Sequence, residues 1–172
     1  TKLLNERPDG NRLSSWGTSH LLLYLSILID LQEKKLSPDQ KIIFPKRVAQ
    51  EKSALRSTTA DVGEERTLID VLNQAVSLNA PDCIFALMQV YGSQQGARKK
   101  IDFWGRKLNI SRSSRASLTG RLHKTQSSNL FDYYKIANAY LTLARSSFSY
   151  IRNRVHVLKG KTYFPQSTLD LK

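Results

Sequence analysis

The chain has 172 residues, enough for one domain with a sizeable core. Its 40% apolar content, with seven tyrosines and two tryptophans, excludes a disordered polyelectrolyte. Lysine and arginine number 27 against 14 acidic residues. The resulting net charge of +13 points to an anionic neighbour (nucleic acid, membrane surface, cell-wall polymer or acidic protein face) and carries no information about fold.

In chain order, "TKLLNER" has the pattern of a short strand and is followed by a turn signal at Pro8–Gly10. Thr18 or Ser19 can cap a helix from about His20 to Lys34, whose basic end suits the helix dipole. Its apolar run, Leu21 to Leu31, is far shorter than the roughly 20 residues a membrane span requires, so it is expected as a core helix. "LSPDQ" is a turn, and "KIIF" a short strand closed by Pro45. Residues 46 to 66 look irregular. "TLIDVLNQAV" is helical, opening with Thr67 and Asp70 in a capping-box-like arrangement. "SLNAP" breaks it, and Pro81 suits the first turn of a helix running to about Tyr91.

"SQQGARKKIDFWGRKLN" is a helix with a strongly basic face, followed by a loop from Ile110 to Ser127. Ser128 or Asn129 can cap the amphipathic helix "LFDYYKIANAYLTLAR". "SFSYIRNRVHVLKGKTYF" alternates like a half-buried strand, with Lys159-Gly160 as a hairpin turn. Strand, helices and strands in that order give an α+β class, and residues 1–172 are expected to form a single domain, incomplete at both ends.

These pieces resemble, in order and spacing, the D-alanyl-D-alanine carboxypeptidases, the low-molecular-weight penicillin-binding proteins of the serine β-lactamase-like fold. "HLLLYLSILIDLQEKKLSPDQKIIF" is similar to the family run K-L-M-T-x-Y-L-V-x-E-A-x-x-x-G-K-L-S-L-D-D-x-V. "TLIDVLNQAVSLNAPDCIFALMQVYGS" resembles L-L-x-G-L-L-x-x-S-G-N-D-A-A-x-A-L-A-E-x-x-x-G-S. "RKLNIS" matches A-x-x-L-G-M, "LTGR" the T-G-L turn, and "SSNLFDYYKIANAYL" S-T-A-R-D-x-A-x-L-x-x-A-L. The resemblance implies a helical subdomain packed on a partial antiparallel sheet, and a periplasmic or cell-envelope location.

The family works through S-x-x-K, S-x-N and K-T-G motifs, the serine attacking a peptide carbonyl while a lysine one helical turn on takes its proton. The first motif falls on Gly17-Thr18-Ser19-His20, with Gly17 at the nucleophile and His20 at the lysine. No lysine anywhere in the chain has a serine three residues before it. Ser77-Leu78-Asn79 keeps the form of the second motif between two helices, so Ser77 and Asn79 are the candidate ligand-binding residues. Lys161-Thr162-Tyr163 imitates the third without its glycine. The reading is therefore of a protein that is not an enzyme. It would be a structural component of an envelope assembly, such as a secretion complex, or a peptidoglycan-binding module. The alternative is a penicillin-sensitive D,D-peptidase with atypical catalytic residues.

No cofactor is implied. The lone Cys83 permits no intrachain disulfide and is expected as a buried small hydrophobe, and His20, His123 and His156 are too scattered for a metal site. Arg98, Lys99, Lys100, Arg106, Lys107, Arg112 and Arg115 are interrupted only by Asp102. They form either a solvated face or a contact for an anionic partner. Nucleic acid is disfavoured, since Phe103 and Trp104 alone are interleaved with them and fit the helix's apolar side better than a stacking platform.

Overall fold

The structure, a computed structural model, describes residues 18–45, 60–78, 80–115, 117–118 and 130–145, together with the backbone of 156–158 and 161–163. The strand expected in "TKLLNER", the turn at Pro8–Gly10, Gly17, Asn79, His123 and the caps Ser128 and Asn129 lie outside the described residues. The elements are α1 (Ser19–Gln32), β1 (Lys41–Ile43), β2 (Glu65–Thr67), α2 (Leu68–Leu78), α3 (Pro81–Leu87), α4 (Gln94–Lys107), α5 (Leu130–Leu143), β3 (His156–Leu158) and β4 (Lys161–Tyr163). Short 3-10 turns occupy Met88–Tyr91 and Ser113–Arg115. This is the expected α+β class, largely helical with small antiparallel strand pairs.

In α1 every residue except Leu21 and Gln32 is buried. A helix that is apolar around its circumference has to sit inside the protein. It is the expected core helix, with α4 and α5 packed against it and α2 packed on α3. Among the described residues no helix is long and apolar enough to cross a membrane.

The end of α1 comes sooner than expected. Lys34 leaves the helix at φ 57°. Its N–H donates to the Leu31 carbonyl at 3.1 Å, and the Lys35 N–H donates to the Asp30 carbonyl at 2.8 Å, so the last turn is closed by a left-handed residue. Lys34 occupies the position that the quoted family run fills with glycine. Asn109, at φ 51°, likewise stands at the glycine of L-G-M.

β1 buries Ile42 between exposed Lys41 and Ile43. It pairs antiparallel with β2, Lys41 opposite Thr67 and Ile43 opposite Glu65. β2 lies in the stretch expected to be irregular. Glu-Arg-Thr has no apolar alternation, and its strand form is set by its partner and by Arg66, which lies 4.9 Å from the centre of the Phe44 ring and pairs with Glu64 at 2.6 Å. At the start of α2, Thr67 Oγ1 accepts from the Asp70 N–H (3.2 Å) and donates to the Asp70 carboxylate (2.6 Å), as the capping pattern predicts.

α2 continues through Leu78, so Ser77 sits in its last turn and not in the connection where the sequence placed it. Pro81 then starts α3 as expected. Ser93 caps α4 by accepting from the Gly96 N–H at 3.0 Å. In the final pair Leu158 lies opposite Lys161, and Lys159-Gly160, read from the sequence as the hairpin turn, lie outside the described residues.

Candidate functional site at the start of the central helix

Thr18 anchors the first turn of α1. Its N–H and its hydroxyl both donate to the Ser114 carbonyl, at 2.9 and 3.0 Å. Ser114 belongs to a small hydroxyl cluster gathered by Asp132, a buried carboxylate in the first turn of α5. Asp132 accepts from the Ser111 hydroxyl (2.8 Å), the Ser111 N–H (3.3 Å) and the Ser114 hydroxyl. A negative charge at that helix end is also favoured by the α5 dipole.

Ser19 is fully buried, and its Oγ has no hydrogen-bond partner among the described residues. Such a group costs on the order of 1–3 kcal/mol unless something satisfies it. α1 itself has no acidic residue in its first turn and no side-chain cap. The start of α1 is thus an end of the helix dipole with no negative side chain of its own first turn to offset it.

His20 packs edge-on against Tyr24, ring centres 5.7 Å apart. Tyr24 in turn donates to the Ala75 carbonyl at 3.3 Å, two residues before the buried Ser77. One tyrosine thus ties the turn carrying His20 to the helix end carrying Ser77. Tyr140 donates to the Leu21 carbonyl at 2.6 Å and fixes α5 against the same turn. Burial, ahead of the influence of Tyr140 and Cys83, raises the Tyr24 phenol well above its ordinary range; burial likewise raises Tyr140. Both rings serve as neutral donors. The sequence offered no signal for the Ser111–Ser114–Asp132 cluster, whose members are scattered through a loop and a helix start.

The basic stretch divides in two. Arg98 binds Asp102 (3.2 Å) and the Arg115 carbonyl (2.7 Å), and Arg115 binds Asp102 (2.7 Å) and the Ser111 carbonyl (3.3 Å). Lys100 reaches buried Asp30 at 2.9 Å, beside the Tyr91 hydroxyl at 2.7 Å. These three cations hold the fold together. Lys99, Arg106, Lys107 and Arg112 are exposed. Cys83 is buried as expected, its Sγ 3.7 Å from Gln74 Oε1. No group of three metal-ligating side chains occurs among the described residues.

No family model matches the chain, and no curated protein does. Solved structures do match. The D-alanyl-D-alanine carboxypeptidase DacD from Francisella tularensis aligns at 12% identity over 82% of this chain and 34% of its own, with a TM-score of 0.69. Penicillin binding protein 5 from Haemophilus influenzae aligns at 10% identity over 86% and 44%, TM-score 0.73. A Streptomyces DD-transpeptidase aligns at 19% identity over 92% and 66%, TM-score 0.70. The chain thus spans between about a third and two thirds of the structures it matches.

One expectation is corrected by these matches. The sequence was read as that of a protein that is not an enzyme, yet the folds it shares are those of carboxypeptidases and a transpeptidase. Clefts of this kind draw their reacting groups from several elements, and this chain spans only part of each matched structure, so the missing S-x-x-K does not establish inertness. The order of elements, the buried central helix and the structural matches together give this chain the fold of the D-alanyl-D-alanine carboxypeptidases and low-molecular-weight penicillin-binding proteins.

Proposed function

We propose that this domain recognises the D-alanyl-D-alanine end of peptidoglycan stem peptides at the bacterial cell envelope, using the start of α1. The observation that carries the reading is the buried Ser19 hydroxyl, without a partner among the described residues, at a helix N-terminus that has no side-chain cap there, within the fold that those peptidases carry. A peptide carboxylate is the chemistry such a site accepts: the N–H groups supply donors, the dipole favours the charge, and a hydroxyl gives a further bond. Ser77, two residues beyond the Ala75 carbonyl that Tyr24 binds, would add a second hydroxyl from α2.

The test is co-sedimentation with purified sacculi. Because a chain of charge +13 adheres to anionic polymers unspecifically, the discriminating arm is competition. A soluble peptide ending in D-alanyl-D-alanine should release the protein, whereas the same peptide ending in L-alanine should not. Equal release by both, or by neither, refutes the reading. A second reading, a D,D-peptidase with atypical catalytic residues, is favoured by the enzymes among the matched structures. Covalent labelling by a fluorescent penicillin, with the acylated residue mapped by mass spectrometry, would decide for it.

A further inference from the structure

A concavity lies at the opposite end of α1, roughly 16 Å along the helix axis from Ser19. It is an open groove of about 610 Å³ with Ile29, Asp30 and Glu33 on one side and Lys99, Phe103 and Lys107 of α4 on the other. Residues 99, 103 and 107 are four apart, so they form a single stripe about 12 Å long on one helix face.

The stripe is unusual in what it leaves exposed. Phe103 is 50% exposed, with its edge against Trp104 at 5.3 Å. Trp104 is 8% exposed and forms the floor. The Lys107 amine stands 4.7 Å from the centre of the Trp104 ring and 5.8 Å from that of Phe103. Neither Lys99 nor Lys107 forms an ion pair among the described residues, whereas Lys100 is held by Asp30 and Lys35 by Glu33. Two amines without a carboxylate partner among the described residues therefore flank an exposed aromatic ring, Lys107 lying against the aromatic pair.

We infer that this groove docks an acidic segment of another protein, which sets an apolar side chain on Phe103 between carboxylates that reach Lys99 and Lys107. The aromatic ring supplies the anchor, and the two amines supply register and attraction. What favours a protein over a nucleic acid is the lack of a stacking platform: Phe103 is the one exposed ring in the lining, and Trp104 is too deeply covered to stack a base. This inference is independent of stem-peptide recognition, since it uses neither Ser19 nor Ser77.

The experiment uses fluorescence anisotropy of a labelled hexapeptide, Glu-Glu-Leu-Phe-Glu-Glu. Saturable binding is expected, and Phe103→Ala and the pair Lys99→Glu with Lys107→Glu should each weaken it at least about tenfold. Arg112→Glu, an exposed charge outside the groove, should leave it unchanged. Should Phe103→Ala lower the melting temperature, the charge-reversed pair carries the comparison, both lysines being exposed. The inference is overturned if the peptide does not bind, if Arg112→Glu weakens binding as much as the lysine pair, or if the glutamine version of the peptide binds equally. Competition by oligo-thymidine at a lower concentration than by unlabelled peptide would assign the groove to nucleic acid instead.

Discussion

Lys34 carries a β-carbon in a backbone conformation that glycine adopts without cost. At φ 57° that carbon crowds the neighbouring carbonyl, a penalty of roughly 1–2 kcal/mol for an ordinary residue. Part of the gain from removing it is cancelled by the extra freedom glycine has in the unfolded chain. Lys34→Gly is therefore expected to raise stability by roughly 1 kcal/mol, read as a higher urea midpoint at unchanged slope. Asn109→Gly should gain less, because asparagine tolerates this region. A fall in the Lys34→Gly midpoint would show that its side chain contributes contacts outweighing the strain. The same two residues show how the sequence could be read at this scale. Each fills a position where the family run has glycine, yet the helix was read through Lys34, because a lysine gives no signal of a left-handed turn residue.

Among the elements, those whose signals are local were legible. α1 announced itself by a continuous apolar run, α2 by Thr67 and Asp70, α3 by Pro81, and the β3–β4 hairpin by its alternation and Lys159-Gly160. β2 was not legible, because Glu65, Arg66 and Thr67 have no pattern of their own and become a strand only by pairing with β1. The end of α2 was misplaced for a related reason: "SLNAP" contains turn formers, yet burial of Leu78 and Ser77 carries the helix past them. Nor could the sequence show that Arg98, Lys100 and Arg115 are tied internally, since Asp30 and the Arg115 carbonyl are distant along the chain. The entry to α4 depends on a detail of the same kind. Gly96 lies where a β-carbon would overlap the Tyr91 carbonyl oxygen, and backbone cannot move aside as a side chain can. Gly96→Ala should cost on the order of 1–3 kcal/mol despite alanine's better helix propensity, and thermal melting measures it. An unchanged or higher melting temperature would mean that α4 can shift away from Tyr91 freely.

For the whole molecule, three of the seven tyrosines, Tyr24, Tyr91 and Tyr140, share one electrostatic fate. Burial raises each phenol above its ordinary value near 10, and at Tyr91 the hydrogen bond to Asp30 acts in the same direction. A folded-state value raised above the unfolded one means that the stabilisation is complete below about pH 10 and is lost as pH climbs, because the unfolded chain sheds protons that the folded chain retains. Each such group should remove about 1.4 kcal/mol per pH unit once the unfolded phenols ionise. The urea midpoint should fall steeply above about pH 10, with phenolate absorbance from these rings appearing together with unfolding. A midpoint that stays level to about pH 11 would contradict the buried, neutral state of these rings.

The double hold of Thr18 on the Ser114 carbonyl spans 96 residues of chain. A contact of that separation closes a very long loop, so it is expected to form late in folding. The entrance of α1 is consequently predicted to set after the body of that helix, which is the most apolar segment in the chain. An intermediate arrested before that step would hold a consolidated interior with an unformed mouth, and would be blind to any ligand that enters there.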